Sequence, residues 1–270
     1  MGIWGKEQMI SVQPPYLTAQ FQRCPMAWYL GEKWNVKGSD KHTAKLIGTA
    51  VTVGLERHFS GFQDGEQRVR DTVEANNLEG SDRTLEEVLS LSVKGFLLGQ
   101  VTNLDYKEIL GVEMSFARAR PDLVLRMADN SVVPVDHKVK IQLDPKYLGA
   151  ECRKYDVDTQ MFHYSMAVGE YYGVHVSRVL VHFIILGPRG RTMLHPVLIS
   201  PERLAYWRSG AEEAWQSMHE IEHWGLKPAP RFTGCNTVYG QCDFYEACHS
   251  LGCDEELMKL LYEKRYKRWN

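Results

Sequence analysis

The sequence predicts an α/β or α+β fold with a helical cap, and three observations support it. Residues 20–30, 45–59 and 84–98 carry apolar residues at helical spacing. Residues 108–116, 121–127 and 131–139 are short runs rich in Val, Ile, Leu and Phe. The pattern then returns to helix at 158–172, to strands at 178–186 and 191–199, and to a long helix from 201 to about 224. Strands bracketed by helices make a sheet with helical layers rather than an all-helical bundle or an all-β sandwich.

Each element has its own signal. The first helix rests on Phe21, Cys24 and Trp28, the second on Leu46, Val53 and Leu55. Thr84-Leu-Glu-Glu87 opens the third with a capping-box pattern. Asp129-Asn130 marks a tight turn between the second and third strands, so 108–139 reads as a three-stranded meander. The strands at 178–186 and 191–199 flank Gly187-Pro188-Arg189-Gly190. Ser200-Pro201 supplies an N-cap and a first-turn proline for the long helix. Residues 227–252 are rich in Pro, Gly and Cys without a period, and 255–269 reads as a terminal helix. The chain is expected to form a single domain over 1–270. Within it, 1–105 is an N-terminal helical part, 106–225 a core, and 226–270 a Cys-rich tail with the terminal helix.

Composition narrows the function classes. The chain has 270 residues, 44% hydrophobic and 24% charged, which excludes collagen-like, disordered and coiled-coil chains. With 32 basic and 34 acidic residues no overall positive field marks a nucleic-acid binder, although a local basic groove is compatible with that balance. The apolar runs at 179–186 and 49–55 are too short to span a bilayer, and residues 1–15 lack the apolar region of a signal peptide. The expected location is the cytoplasm, with no membrane partner. Six cysteines there point to metal or redox chemistry rather than to disulfides.

The chemistry concentrates in Ala119-Arg-Pro-Asp122 and Val133-Pro-Val-Asp136-His-Lys138. Asp136 and Lys138 are two apart on one strand and share a face. If the hairpin pairs as read, Asp122 joins them near its open end. Two carboxylates and a lysine suit phosphodiester hydrolysis. Hard oxygen ligands hold Mg²⁺ or Mn²⁺, the metal polarises phosphate and acidifies water, and lysine adds positive charge to the transition state. The ordinary alternative is a strand start, an edge carboxylate and a solvated lysine. Charge placed directly after an apolar strand, where it needs partners, speaks for a site.

These residues resemble the PD-(D/E)xK nuclease motif. Gln160-Met-Phe-His-Tyr164, about twenty residues beyond Lys138 on a helix, resembles the Gln-x-x-x-Tyr motif of the RecB-type branch. The resemblance implies a restriction-endonuclease-like core, a mixed sheet flanked by helices, closed by a Cys-rich C-terminal staple. It implies that Asp122 and Asp136 bind metal with the His137 carbonyl as a main-chain ligand, that Lys138 is catalytic, and that Gln160 and Tyr164 order the lysine and contact DNA. RecB-type nucleases often carry Gly-x-x-x-His on an N-terminal helix; Gly48-Thr-Ala-Val-Thr52 puts threonine there. Glu56, one turn on, can reach the same space, whereas His58 points about 200° round the helix from Thr52. Glu113 is a further acid that could line the cleft.

The cysteines extend the resemblance. Cys235, Cys242, Cys248 and Cys253 are separated by seven, six and five positions, which fits a zinc ribbon badly because tight Cys-x-x-Cys knuckles are lacking. CRISPR-associated RecB-like exonucleases and AddB-type nuclease domains close a [4Fe–4S] cluster with one N-terminal and three C-terminal cysteines. By that resemblance Cys24, Cys235, Cys242 and Cys248 are the ligands, with Cys253 competing for the fourth place. Zinc and a lost site of free thiols stay open. The ordered series covers residues 17–253.

Two weaker motifs remain. His219-Glu220-x-x-His223 matches a zinc-protease pattern but lacks a third ligand. Lys264-Arg-Tyr-Lys-Arg-Trp269 interleaves bases and aromatics as single-stranded DNA binders do, and equally as a solvated helix end does. The functional expectation is a metal-dependent DNA nuclease, an exonuclease on DNA ends, working with recombination or CRISPR proteins. The competing one is a DNA-end scaffold that keeps the fold without the activity, for which the missing histidine speaks.

Overall fold

In the computed structural model, the structure describes residues 13–34, 43–76, 78, 81–100, 104–229, 231, 235–237, 240–242, 248 and 256. The chain divides into two compact units, Asp40–Arg208 and the pair of segments Met1–Ser39 with Ser209–Asn270.

The Asp40–Arg208 unit is built on a five-stranded mixed sheet. Strands β1 (Tyr106–Val112), β2 (Leu123–Met127) and β3 (Val132–Lys140) form the expected antiparallel meander. Strand β4 (Arg178–Ile185) lies parallel to β3, and β5 (Arg191–Leu198) pairs antiparallel with β4, giving the order β1-β2-β3-β4-β5. The parallel pairing forces a crossover, made by α6 (Pro145–Tyr155) and α7 (Thr159–Tyr172). β4 is buried on both faces and therefore reads as an unbroken apolar run. On one face Val181, Phe183 and Ile185 pack with Met161, Tyr164 and Val168 of α7. On the other, Ile184 and Leu186 pack with Ile47, Val51 and Leu55 of α3 (Thr43–Phe59), and with Val88 and Phe96 of α5 (Leu85–Gln100).

The capping box forms as the sequence predicts. Thr84 N–H donates to Glu87 Oε2 at 2.9 Å, and Glu87 N–H donates to Thr84 Oγ1 at 3.2 Å. Ser200 Oγ likewise accepts from Arg203 N–H at the start of α8 (Pro201–Trp224).

Three readings need correction. The single helix over 20–30 is two helices, α1 (Pro15–Arg23) and α2 (Pro25–Trp34). Cys24 between them is extended, at φ −158° and ψ 108°, because a residue preceding proline is pushed out of the helical region. Two helices had no assignment, α6 and α4 (Gly65–Glu74). Only Gly65, Val69 and Val73 of α4 are buried, too few apolar positions to make a readable stripe. α6 did carry a signal, Asp144 as N-cap before Pro145, and the Asp144 carboxylate accepts Lys146 N–H at 3.0 Å. Strand β1 stops at Val112, short of Phe116, because Glu113 turns into left-handed backbone at φ 52°. The terminal helix over 255–269 lies outside the described residues, apart from helical Glu256.

In the other unit, Trp215 of α8 donates its indole N–H to Thr18 Oγ1 at 2.8 Å, and Arg231 reaches Gln22 O at 2.7 Å. A two-residue hairpin pairs β6 (Asn236–Thr237) with β7 (Gly240–Gln241). Among the described residues no helix is long and apolar enough to cross a membrane.

Candidate active site

Strand register assembles the site. Val112, Leu123 and Val135 form one row across β1, β2 and β3. The next row is Glu113, Asp122 and Asp136, with Glu113 N–H donating to the Asp122 main-chain oxygen at 3.0 Å. Three acids, one just past β1, one just before β2 and one on β3, therefore meet where the meander opens. Asp122 and Glu113 share a side-chain hydrogen bond, and the Asp122 carboxylate also accepts the His137 main-chain N–H. Asp136 is 2% exposed and its Oδ2 faces Lys138 Nζ at 2.7 Å.

Helix α7 carries the remaining parts. Gln160 Oε1 accepts from Lys138 Nζ at 3.3 Å, and Gln160 Nε2 donates to Tyr164 Oη at 2.5 Å. Tyr164 Oη lies 3.1 Å from Arg120 O and 3.5 Å from Asp136 Oδ1. The i, i+4 spacing puts both side chains on the helix face that looks at β3. Asp158 caps α7 by accepting Gln160 N–H at 2.8 Å, which fixes the turn that presents Gln160.

Crowding these acids together shifts their protonation. Burial, with Asp122 beside it, pushes Glu113 up to about 8. Burial pushes Asp136 up to about 6, Lys138 pulling it back and Asp122 adding to the rise. Burial raises Asp122 as well, against the His137 N–H. Burial also works against the Lys138 charge, but Asp136, Asp122 and Asp158 outweigh it, and the lysine pKa is raised. Lys138 thus stays an ammonium, and the Glu113–Asp122 bond holds its proton on Glu113.

The other candidates fall in different places. Glu56 on α3 is half-buried and close enough for its charge to act on Glu113. Thr52, one turn earlier, is half-buried. His58 is drawn elsewhere, with Nδ1 3.3 Å from Gln100 Nε2 and its ring edge-on to Phe96. The His137 side chain lies on the sheet face opposite Asp136. It stacks on Phe59 at 5.9 Å and meets His182 Nδ1 at 3.0 Å, so only its main chain faces the acids.

Two residues escaped the sequence reading. Asp158 could have been found, since an acid before Thr159-Gln160 reads as an N-cap. Arg120 carries no spacing signal for its return to Glu113, where Nε sits 2.6 Å from Oε2.

Among the described residues no three His, Cys, Asp or Glu side chains are arranged to hold a metal ion as they stand. The donor chemistry nevertheless fits a hard divalent cation. Buried Asp136 lies beside half-buried Glu113 and Asp122, which share a hydrogen bond, and Lys138 and Arg120 are the cations acting on them. Such a cluster gains from a divalent ion that replaces the proton.

Cys24 and Cys235 are buried, Cys242 and Cys248 half-buried, and all four belong to one unit. Cys242 N–H donates to Cys235 O at 2.8 Å, and Arg231 N–H approaches Cys24 Sγ at 3.4 Å. Cys152, on α6 in the other unit, is free and has its thiol pKa raised by burial. Cys253 and the 264–269 tail lie outside the described residues. His219 and His223 are exposed, their rings stacked at 5.9 Å.

A row of acids on a mixed sheet, completed by a lysine two residues on and an amide from the crossover helix, is the arrangement of a phosphodiester-cleaving nuclease core. The family model of the PD-(D/E)XK nuclease superfamily matches residues 17–249, and the chain belongs to that superfamily. Its nucleases typically use Mg²⁺ or Mn²⁺. Among solved structures the chain is similar to a "Putative exonuclease" from Eubacterium rectale, at 12% identity, 93% of each chain covered and a TM-score of 0.48. It is also similar to the structure of SSO0001, at 13% identity, 87% of this chain and 95% of that one covered, and a TM-score of 0.29. No curated protein matches.

Proposed function

We propose that this chain is a metal-dependent DNA nuclease, one RecB-like domain acting as an exonuclease on DNA ends in recombination, repair, or phage or CRISPR DNA processing. The observation that carries this reading is the row Glu113–Asp122–Asp136 with Lys138 held between Asp136 and Gln160. Asp122 and Asp136 would hold the metal, with the His137 carbonyl and Glu113 beside them and Glu56 from α3. A bound Mg²⁺ or Mn²⁺ supplies Lewis-acid polarisation of the phosphate and acidifies a water. Lys138 keeps its proton and directs an ammonium at the charge that develops on the phosphate. Gln160 holds that ammonium in place, and Tyr164 ties Gln160 to Asp136 and to the Arg120 main chain. End-labelled single- and double-stranded DNA with Mg²⁺ or Mn²⁺ should be cleaved by the wild type and not by Asp136→Ala. Absence of metal-dependent cleavage by the wild type would leave the scaffold reading in its place.

The same reading includes a [4Fe–4S] cluster on Cys24, Cys235, Cys242 and Cys248. Its support is that the chain brings the four thiols into one unit, with Cys235 and Cys242 joined through the main chain. The cluster would tie N-terminal and C-terminal segments together and take no part in hydrolysis. Protein purified without oxygen should be brown, with broad absorbance at roughly 400 nm. Cys242→Ser should lose the colour, and Cys152→Ser should keep it. Bleaching by Cys253→Ser but not by Cys235→Ser would exchange those two ligands. Zinc, or no metal, would remove the cluster.

A further inference from the structure

Arg120 stands between two of the acids in sequence and at the rim of the site in space. Its main chain is fixed. Tyr164 donates to its carbonyl, and Pro121 follows it. Before it, a tight turn closed by the Phe116–Ala119 bridge holds Ala117 at φ 42° and Arg118 at φ 62°, left-handed backbone that residues with a Cβ rarely adopt. His163 braces this turn through the Ala117 carbonyl at 3.0 Å. Strain of this kind persists only where the surroundings over-determine the chain.

The side chain is the opposite, 58% exposed against 11% for Glu113. It is committed to Glu113 through one atom. Nε lies 2.6 Å from Glu113 Oε2 and 3.1 Å from Glu113 O. The two Nη groups, which make the fork suited to phosphate, take no partner among the described residues. Arg120 therefore holds a carboxylate of the cluster while most of its hydrogen-bonding capacity faces outward.

We propose that Arg120 is an exchangeable clamp on Glu113. It holds Glu113 in the resting site, would yield that side chain to a divalent cation, and would turn its guanidinium to a DNA phosphate at the mouth of the site. With a divalent ion held by the acids, Glu113 would give up the proton it shares with Asp122 and the Arg120 guanidinium would be repelled. An incoming phosphate gives the freed fork a bidentate partner. The fixed main chain keeps the side chain anchored at the rim throughout. This inference rests on the nuclease reading above and assigns Arg120 a task within it.

The test has two readouts besides cleavage. Mn²⁺ binding without DNA is measured from the loss of the free-ion EPR signal for wild type, Arg120→Gln and Asp136→Ala. Binding of a labelled duplex in Ca²⁺ is then measured over a range of NaCl concentrations. Arg120→Gln should bind Mn²⁺ severalfold more tightly than wild type, because the competing cation is gone. Its slope of log K against log salt should be smaller by about one, the loss of one phosphate contact. Mn²⁺ affinity equal to or weaker than wild type overturns the exchange, and so does an unchanged slope. Asp136→Ala binding Mn²⁺ as well as wild type would instead defeat the metal-site reading, whatever Arg120 does.

Discussion

Lys138 holds its proton against burial because Asp136, Asp122 and Asp158 surround it, and that balance ranks the single-residue effects. Removing Lys138 or Asp136 strips the site of a charge that develops its full value only in the transition state. Lys138→Ala and Asp136→Ala should each lower the cleavage rate by two orders of magnitude or more, about 3 kcal/mol. Single-turnover assays check this, and DNA binding should survive Lys138→Ala much better than cleavage does. Gln160 touches the lysine at 3.3 Å while Asp136 still holds it at 2.7 Å. Gln160→Ala should therefore cost only about tenfold, roughly 1.4 kcal/mol. Thr52 stands where a metal-binding histidine is usual in RecB-type nucleases. Thr52→His should leave the rate unchanged or raise it, most visibly at low Mn²⁺; a severe loss would show that Thr52 has its own task.

Among the elements, α3 packs on the sheet and is joined to α4 and α5 by close packing at a glycine. A Cβ on Gly54 would meet the Val69 side chain of α4, Phe96 of α5 at 2.9 Å and the Gly65 carbonyl at 3.1 Å. Two of these neighbours are large side chains in a filled core and the third is backbone, so the helices must move apart. Gly54→Ala should lower stability by about 1–3 kcal/mol, read as a reduced urea midpoint at unchanged m-value. The same packing sets where α3 presents Glu56 to Glu113. Metal affinity of the variant should therefore fall along with its stability.

For the whole molecule, the sheet encloses imidazoles that stay neutral. Burial holds His137 and His182 down to about 3 and His163 down to about 4. Each is below the ordinary value of the unfolded chain, so the unfolded state binds protons that the folded state refuses. The stability they contribute is present above pH 6.5 and is lost as pH falls from there toward about 4 for His163 and about 3 for His137 and His182, at about 1.4 kcal/mol per pH unit for each group. Acid should thus unfold the protein while most surface ion pairs are still charged. His163→Gln isolates one contribution. It should be less stable than wild type at pH 7.5, and the difference should shrink or reverse by pH 4.5 in denaturant titrations. A constant difference across that range would show that His163 is not held neutral.

Much of this was legible in the residues. Period-2 runs ended by Asp129-Asn130 determined the meander. The Asp-x-Lys spacing placed Asp136 and Lys138 on one face, and Gln-x-x-x-Tyr placed an amide and a phenol on one helical face. These are local properties, set by backbone geometry over a few residues. What lay further apart was not legible. Parallel pairing of β3 with β4 depends on a crossover whose first helix, α6, carried only a cap signal. Nothing in the spacing told that α7 would fold Gln160 onto Lys138. The meander pattern proposed strands but not their register, and register alone aligns Glu113 with Asp122 and Asp136. Arg120 shows the limit most clearly. Its charge stands in the sequence, yet its partner was decided by a strained turn and a tyrosine forty-four residues away. Sequence determines which groups can share a face; tertiary structure decides which faces meet, because burial energy is settled between elements and not within them.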